Sequence, residues 1–158
     1  MYLVSNMWGY NLVQFISMSE QDLKSKRYNP ITGSLIVVDC DEKILIGYNT
    51  RRKQWELPAG GIEMGESPRD CAIRELYEET NQSVDNARFI GLVKLYDSNT
   101  ELMDYQALYY TVIDKLESFS ENEEMNEIKL WDLKDEIEEF DTVEREILNI
   151  CLNVINDN

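Results

Sequence analysis

A group of acidic residues and one arginine lies close together in the middle of the chain. It consists of Glu66, Arg74, Glu75, Glu78 and Glu79. At about 100° per residue the last three fall on one side of a helix, where their like charges repel each other unless protons or a cation offset them. Carboxylate oxygens are ligands that Mg²⁺ and Mn²⁺ prefer. The spacing therefore predicts a divalent-cation site, with an acidic helix face in solvent as the alternative.

The rest of the composition narrows the chemistry open to this site. The chain has 158 residues and no histidine, so the usual general base and the commonest transition-metal ligand are absent. The net charge of −16 opposes binding to long nucleic acids and anionic membranes, because phosphate contacts need Lys and Arg. A small phosphate ester that arrives with a divalent cation stays compatible with this charge. We therefore expect acid–base and metal chemistry on carboxylates.

The cysteines and the N-terminal segment indicate a cellular location. Cys40, Cys71 and Cys151 are too few and too scattered for a disulfide framework or a zinc site, which favours a reducing compartment. The first basic residue is Lys24, so the apolar N-terminus is not expected to be a secretory signal. No uninterrupted run of about 18 apolar residues is present, so no membrane span is expected. These features predict a cytoplasmic protein.

A distinct helix start places the acidic residues on one element. Ser67 suits the N-cap, Pro68 suits the first helical position, and Asp70 stands three residues after the cap. The pattern predicts a helix from Pro68 to about Thr80, with Asn81 in a left-handed exit. One side of this helix should pack on the core while the carboxylates point outward. The apolar side consists of Ala72, Ile73, Leu76, Tyr77 and Thr80.

Short segments rich in β-branched residues predict strands before and after this helix. They cover residues 33–38, 43–48, 55–57, 88–96, 105–112 and 127–131. A final helix, capped by Asp141 or Thr142, carries one apolar stripe. The stripe consists of Val143, Ile147, Leu148, Cys151 and Val154. Strands flanked by two helices predict an α/β or α+β sandwich.

The first 29 residues are predicted to extend this domain as a strand and a connection. Residues 1–15 contain β-forming side chains and Gly9 at a turn position, without a cluster of ionisable groups. An exposed apolar edge is a liability for a monomer. We therefore expect this segment to serve architecture rather than catalysis, by covering a sheet edge or forming a homodimer contact.

With Gly60 included, the charged group has the spacing G-x5-E-x7-R-E-L-x-E-E, which resembles the Nudix box of the MutT-like hydrolases. The segment from Trp55 to Gly61 is similar to the strand and turn that lead into this box. Asn81 and Gln82 depart from the family pattern, which has glycine and an aliphatic residue there, but the carboxylates are unaffected. The resemblance implies one domain over residues 1–158, folded as an α/β/α sandwich with a mixed β-sheet between helices.

The resemblance also implies an activity and its ligands. Nudix hydrolases cleave a nucleoside diphosphate linkage by attack of water on phosphorus, with Mg²⁺ or Mn²⁺ as cofactor. Glu66 and Arg74 correspond to a supporting salt-bridged pair. The metal-binding positions correspond to the backbone carbonyl of Ala59 and the carboxylates of Glu75, Glu78 and Glu79. The substrate stays open between nucleotide sugars or ADP-ribose and nucleoside triphosphates.

Two further roles fall on loops. In the family the general base lies within the box or on a later loop, which gives Glu75 or Glu124 here. Glu124 is preferred within its loop because Glu-Met-Asn-Glu-Ile is similar to the family's loop-to-strand transition, and a solvated acidic linker is the alternative. Arg51 and Arg52 belong to a compact basic run. They are predicted to contact substrate phosphates, or else to be ordinary surface charges.

Two other classes of function compete with hydrolysis. A nucleotide-sensing module of the same fold would bind without turnover, although a sensor need not retain all five charged residues. An acidic protein-interaction domain is the second. Calcium binding is not expected, because the acidic stretch over residues 117–144 lacks the ligand spacing of an EF-hand.

Overall fold

The centre of the protein is a mixed β-sheet, which the computed structural model describes with its flanking helices over residues 1–157. Its strands are β1 (Val4–Ser5), β2 (Tyr10–Ile16), β3 (Ile31–Cys40), β4 (Lys43–Asn49), β5 (Gln54–Glu56), β6 (Ala59–Gly61), β7 (Arg88–Asp97), β8 (Leu102–Ile113) and β9 (Met125–Trp131). They run in the order β1-β2-β7-β8-β3-β4-β5, with β6 beside β3 and β9 beside β4. Only β3 and β8 pair in parallel among these described strands, so the sheet is mixed.

One helix covers each face of the sheet. The helices are α1 (Pro68–Thr80) and α2 (Thr142–Asn156), and a short 3-10 helix spans Glu20–Lys24. Successive residues of β3 point to opposite faces, so Leu35 packs in the cluster under α2 and Ile36 in the cluster under α1. Leu76 belongs to the α1 cluster and Leu148 to the α2 cluster. The α/β/α sandwich predicted from the sequence is confirmed.

Helix α1 has the bounds that its capping residues predict. The Ser67 hydroxyl accepts a hydrogen bond from the Asp70 N–H at 3.1 Å, and Asn81 adopts a left-handed φ of 66°. Ala72, Leu76 and Thr80 are buried as predicted, but Tyr77 is 54% exposed and Glu79 is only 2% exposed, so the predicted buried face was wrong at these two positions. The helix is rolled so that Glu79, about 60° from Leu76 around the helix axis, faces the sheet.

Along one side, β3 pairs first with β6 and then with β4, and the gap between the two pairings leaves room for residues 57–59. Residues 33–35 pair with β6, and residues 39–40 pair with the start of β4. Strands β3 and β4 therefore pair with each other only next to the turn that joins them. Between the two pairings, the Ile36 N–H donates to the Pro58 carbonyl at 3.0 Å. This bond holds residues 57–59 against the middle of the sheet.

The N-terminal segment forms the predicted strands. Gly9 has a φ of 90° in the turn between β1 and β2, and β2 pairs antiparallel with β7, which covers that sheet edge. Leu12 on β2 is fully buried. The homodimer contact stays a prediction. None of the helices within residues 1–157 has the length and apolar character needed to cross a membrane.

Candidate functional site

Arg74 is the hydrogen-bonding centre of the charged group. Its guanidinium donates to both carboxylate oxygens of Glu66 at 2.7 and 2.9 Å, to Glu75 at 2.8 Å and to Glu78 at 3.1 Å. It also donates to the Gly61 carbonyl at 2.9 Å. The bonds from Arg74 hold the pKa of Glu66 below its usual value. Arg74 thus joins α1 to β6 and to the loop before α1, and its expected pairing with Glu66 is present.

Glu75 packs directly against the backbone of Gly60. A Cβ atom at position 60 would overlap the Glu75 carboxyl group, so any other residue there would displace that group from its bond with Arg74. Burial raises the pKa of Glu75, although the hydrogen bond from Arg74 opposes the shift. The first residue of the box motif is therefore explained by packing against its central glutamate.

Glu79 points into the protein and contacts the same strand. Its Oε1 accepts a hydrogen bond from the Ala59 N–H at 2.9 Å. No Lys or Arg forms an ion pair with it among residues 1–157. Burial raises its pKa well above the usual value, and the charge of Glu124 adds to this shift. A buried carboxylate without a cationic partner is stabilised by a divalent cation, so Glu79 suits the predicted ligand role.

Glu124 reaches the site from the loop before β9. The Asn122 side chain organises this loop by accepting the Glu124 N–H at 3.0 Å and donating to the Glu78 and Glu79 carbonyls at 3.2 and 3.1 Å. The Thr50 N–H donates to the Glu124 carbonyl at 2.9 Å. Burial raises the pKa of Glu124. The loop is therefore attached to the end of α1, unlike a solvated linker.

The two departures from the family pattern help to attach this loop. Gln82 is buried, and its amide donates to the Thr80 and Glu117 carbonyls and accepts the Glu117 N–H at 2.8 Å. The Asn81 side chain donates to the Ser118 carbonyl at 2.9 Å. An aliphatic residue at position 82 would leave these backbone groups without that partner. The polarity of Gln82 in an otherwise apolar position was the signal available in the sequence.

The two arginines of the basic run differ in position. Arg52 lines the cleft and donates to both carboxylate oxygens of Glu56, at 2.6 and 3.0 Å. The Arg51 side chain is 74% exposed outside the cleft, 3.9 Å from a carboxylate oxygen of Glu123. The structure thus brings Arg52 to the carboxylates but does not bring Arg51 there.

A cleft of about 390 Å³ lies between the N-terminal hairpin, strand β6, the Glu124 loop and the start of α2. Its lining includes Asn6, Trp8, Arg52, Gly60, Glu124 and Glu144. The Trp8 indole N–H donates to the Gln54 side chain at 2.9 Å, and the Asn6 amide donates to Asp141 at 2.9 Å. The N-terminal hairpin therefore lines the cleft as well as covering the sheet. The sequence does not predict this contribution, because uncharged turn residues carry no signal for it.

The donor set fits a hard divalent cation without forming a finished cage. Over residues 1–157, no three acidic or cysteine side chains are gathered closely enough to enclose an ion. Arg74 holds Glu75 and Glu78 and neutralises part of their charge. Glu79 and Glu124 have raised pKa values and repel each other. Partly buried carboxyl groups of raised pKa beside one cleft match the chemistry of Mg²⁺ or Mn²⁺.

Known proteins share this sequence pattern and this fold. A family model described as the NUDIX domain matches residues 29–150. An RNA pyrophosphohydrolase of Cereibacter sphaeroides is 32% identical over 81 residues, which cover 48% of this chain and 49% of that protein. The chain therefore spans about half the length of the curated relatives it matches.

Solved structures resemble the whole architecture. A pyrophosphohydrolase of Bacillus subtilis has a TM-score of 0.78 at 20% identity, over 99% of this chain and 97% of that chain. The NUDIX domain of Shewanella oneidensis NrtR, crystallised with ADP-ribose, has a TM-score of 0.66 at 16% identity, over 87% of this chain and 99% of that chain. These similarities concern the fold.

Proposed function

The chain belongs to the Nudix family, and from that premise we propose that it is a pyrophosphohydrolase that uses Mg²⁺ or Mn²⁺ to cleave a nucleoside diphosphate derivative. One observation carries the proposal most directly. Glu124 lines the cleft, Glu75 and Glu79 contact the backbone of its lining residues Gly60 and Ala59, and burial raises the pKa of all three carboxyl groups. Burying carboxyl groups in this way costs stability, which a functional cation site explains.

We assign the cation to the Ala59 carbonyl and to Glu75, Glu78 and Glu79. When bound, the ion would activate water and neutralise charge on the transferred phosphoryl group. The Glu78 side chain is exposed and accepts a hydrogen bond from Arg74, so it is free to turn towards the cleft. Glu66 keeps Arg74 in place through two hydrogen bonds, which supports the first turns of α1.

Glu124 is our candidate for the general base, with Glu75 as the alternative. A base acts best when its pKa lies near the working pH, and burial moves the Glu124 carboxyl in that direction. Arg52 is the cationic side chain beside it, and its two bonds to Glu56 fix its direction. We assign Arg52 to a substrate phosphate oxygen. Arg51 remains a weaker candidate, because it lies outside the cleft.

The substrate is proposed to be a small nucleotide rather than a polymer. A cleft of about 390 Å³ is in the range of small-ligand sites. The net charge of −16 disfavours a long nucleic acid. One relative is described as acting on RNA, and one structural neighbour binds ADP-ribose. These two precedents define the substrate classes to test.

The proposal is tested by product analysis with the full chain and Mg²⁺. The panel contains ADP-ribose, nucleotide sugars, dinucleoside polyphosphates, nucleoside triphosphates and RNA with a 5′ triphosphate. Chromatography of the products identifies the bond that is cleaved. Turnover of a small nucleotide is expected. Binding without turnover would instead indicate a nucleotide-sensing module, and neither binding nor turnover would favour an acidic protein-interaction domain.

Glu124→Gln tests the general base. It is expected to lower kcat by about 10²- to 10⁴-fold and to remove the acidic limb of the pH profile, because an amide cannot accept the proton. Glu121→Gln is the matched control, since Glu121 is an exposed glutamate of the same loop. If kcat and its pH profile survive in Glu124→Gln, the role of base passes to Glu75.

Trp8→Ala tests the contribution of the N-terminal hairpin to substrate binding. We expect KM to rise by about tenfold with little change in kcat, because Trp8 lines the cleft without being one of the assigned cation ligands or the base, and a stacked base is worth about 1–3 kcal/mol. Tyr2→Ala is the control, since Tyr2 is an aromatic residue of the same N-terminal segment that stacks on Tyr96 and is not among the residues lining the cleft. A proportional fall of kcat in both variants would indicate general damage to the fold.

A further inference from the structure

Glu144 makes an unusual bond at the start of α2. A glutamate three residues after an N-cap often bonds back to the N-cap N–H. Here the Asp141 carboxylate accepts the Glu144 N–H at 2.9 Å, but the Asp141 N–H donates to the Trp55 carbonyl at 3.1 Å. The Glu144 side chain instead accepts the Leu57 N–H at 2.6 Å. The start of α2 is thereby bonded to the segment that leads to Ala59.

The Leu57–Ala59 segment is held by carboxylates from both helices. Glu144 of α2 accepts the Leu57 N–H, and Glu79 of α1 accepts the Ala59 N–H at 2.9 Å. Pro58 has no N–H, and its carbonyl accepts the bond from β3. Each of the three residues therefore has one backbone group held by a hydrogen bond. The two carboxylates approach from opposite faces of the sheet, since the two helices lie on opposite faces.

We propose that Glu144 is a positioning residue for the cation site, which fixes the direction of the Ala59 carbonyl by holding the Leu57 N–H opposite Glu79. The proposal rests on the proposed function, because that function makes the Ala59 carbonyl a ligand. Leu57 is 1% exposed, so water has little access to replace the lost acceptor. Without Glu144 the segment must move, or it must keep a buried N–H without a partner.

The bond to the Leu57 N–H needs an acceptor oxygen on residue 144 but no negative charge. Burial raises the pKa of Glu144 well above its usual value, and Glu56 and Asp141 raise it further. A neutral carboxyl still offers an acceptor oxygen to the Leu57 N–H, and so does the amide of glutamine. Glu144→Gln therefore keeps the bond, while Glu144→Leu removes it and leaves a side chain of similar size.

The first measurement is amide hydrogen exchange, by NMR, in the full chain without divalent cations. Glu144→Leu is expected to speed exchange at both Leu57 and Ala59 by about tenfold or more, while Glu144→Gln stays near the wild type. Glu146→Leu on the same helix is the matched control and should change neither. Faster exchange at Leu57 alone would overturn the proposal, because Ala59 would then be positioned without Glu144.

The second measurement is Mn²⁺ affinity by electron paramagnetic resonance. Glu144→Leu is expected to weaken binding by about 10- to 100-fold, as is usual for residues that orient a ligand, and Glu144→Gln to preserve it. Wild-type affinity in a folded Glu144→Leu variant overturns the proposal. A wild-type chain that binds no Mn²⁺ also overturns it, whereas Mn²⁺ binding without turnover on any substrate contradicts only the proposed function.

Discussion

Glu79→Gln is expected to lower kcat by about a thousandfold and, in the absence of divalent cations, to make the protein more stable. The loss of activity follows from removing one anionic ligand, because metal-ion stabilisation of transition-state charge contributes several kcal/mol. The glutamine carbonyl can still accept the Ala59 N–H that Glu79 now accepts at 2.9 Å. The structural bond is therefore kept while the charge is lost.

The gain in stability follows from the burial of Glu79. Burial raises its pKa in the folded protein well above 4.5, so ionising this group near pH 7 costs more in the folded state than in the unfolded chain. A neutral amide avoids that cost. Each kcal/mol gained should raise Tm by about 2–4 °C for a domain of this size. Had Glu79 faced solvent, as the sequence predicted, no change in Tm would be expected.

Kinetics with Mg²⁺ and thermal unfolding in a chelator measure the two effects on the same variant. Glu136→Gln is the control, because it removes one charge from an exposed loop position and should alter neither quantity. Retained turnover in Glu79→Gln would exclude the box as the catalytic centre. A lower Tm in the chelator would contradict the expected gain, because the charge of Glu79 would then stabilise the folded state.

The sequence predicted α1 almost to the residue because its signals are local. Ser67, Pro68 and Asn81 act through their own backbone geometry, and the box spacing concerns residues within a few turns. The orientation of α1 about its own axis, in contrast, depends on its tertiary contacts. Helical periodicity placed Tyr77 inside, but the gap between the partners of β3 exposes the Ala59 N–H, and Glu79 turns inward to meet it.

The remaining contributions to the cleft come from distant parts of the chain. Trp8 reaches Gln54, and Glu144 reaches Leu57, across sequence separations of 46 and 87 residues. No local pattern reports such pairings, since they depend on the strand order. Glu144 even has the spacing of an ordinary capping glutamate. Only the bond between the Asp141 N–H and the Trp55 carbonyl shows why its side chain is directed elsewhere.

Without divalent cations, the protein is expected to lose stability as pH rises from about 5 to 8, and Mg²⁺ is expected to restore it. Burial raises the folded-state pKa of Glu75, Glu79, Glu124 and Glu144 above 4.5. Below pH 4.5 these groups are protonated in both states. As pH rises, the unfolded chain releases their protons first, so unfolding becomes more favourable until the folded-state pKa values are passed.

Two other carboxyl groups make the folded protein less stable as pH falls. Burial acts to raise the pKa of Glu20, but hydrogen bonds from Arg69 and Tyr109 outweigh it, so this pKa is lowered in the folded protein. The pKa of Glu66 is lowered mainly by hydrogen bonds from Arg74. Their contribution is present above pH 4.5 and is lost as pH falls through their folded-state values. Stability without divalent cations should therefore be highest near pH 5.

Mg²⁺ binds the ionised carboxylates, so its stabilising effect should grow with pH. At a Mg²⁺ concentration about 100 times Kd, linkage gives about 2.7 kcal/mol, whereas protons compete with the ion near pH 5. Thermal unfolding at pH 5 and pH 8 is compared with MgCl₂ and with NaCl of equal ionic strength, for the wild type and for Glu79→Gln. The variant should show a smaller decline with pH and a smaller gain from Mg²⁺. If NaCl raises Tm as much as MgCl₂ at pH 8, screening of the net charge explains the effect and no specific cation site is needed.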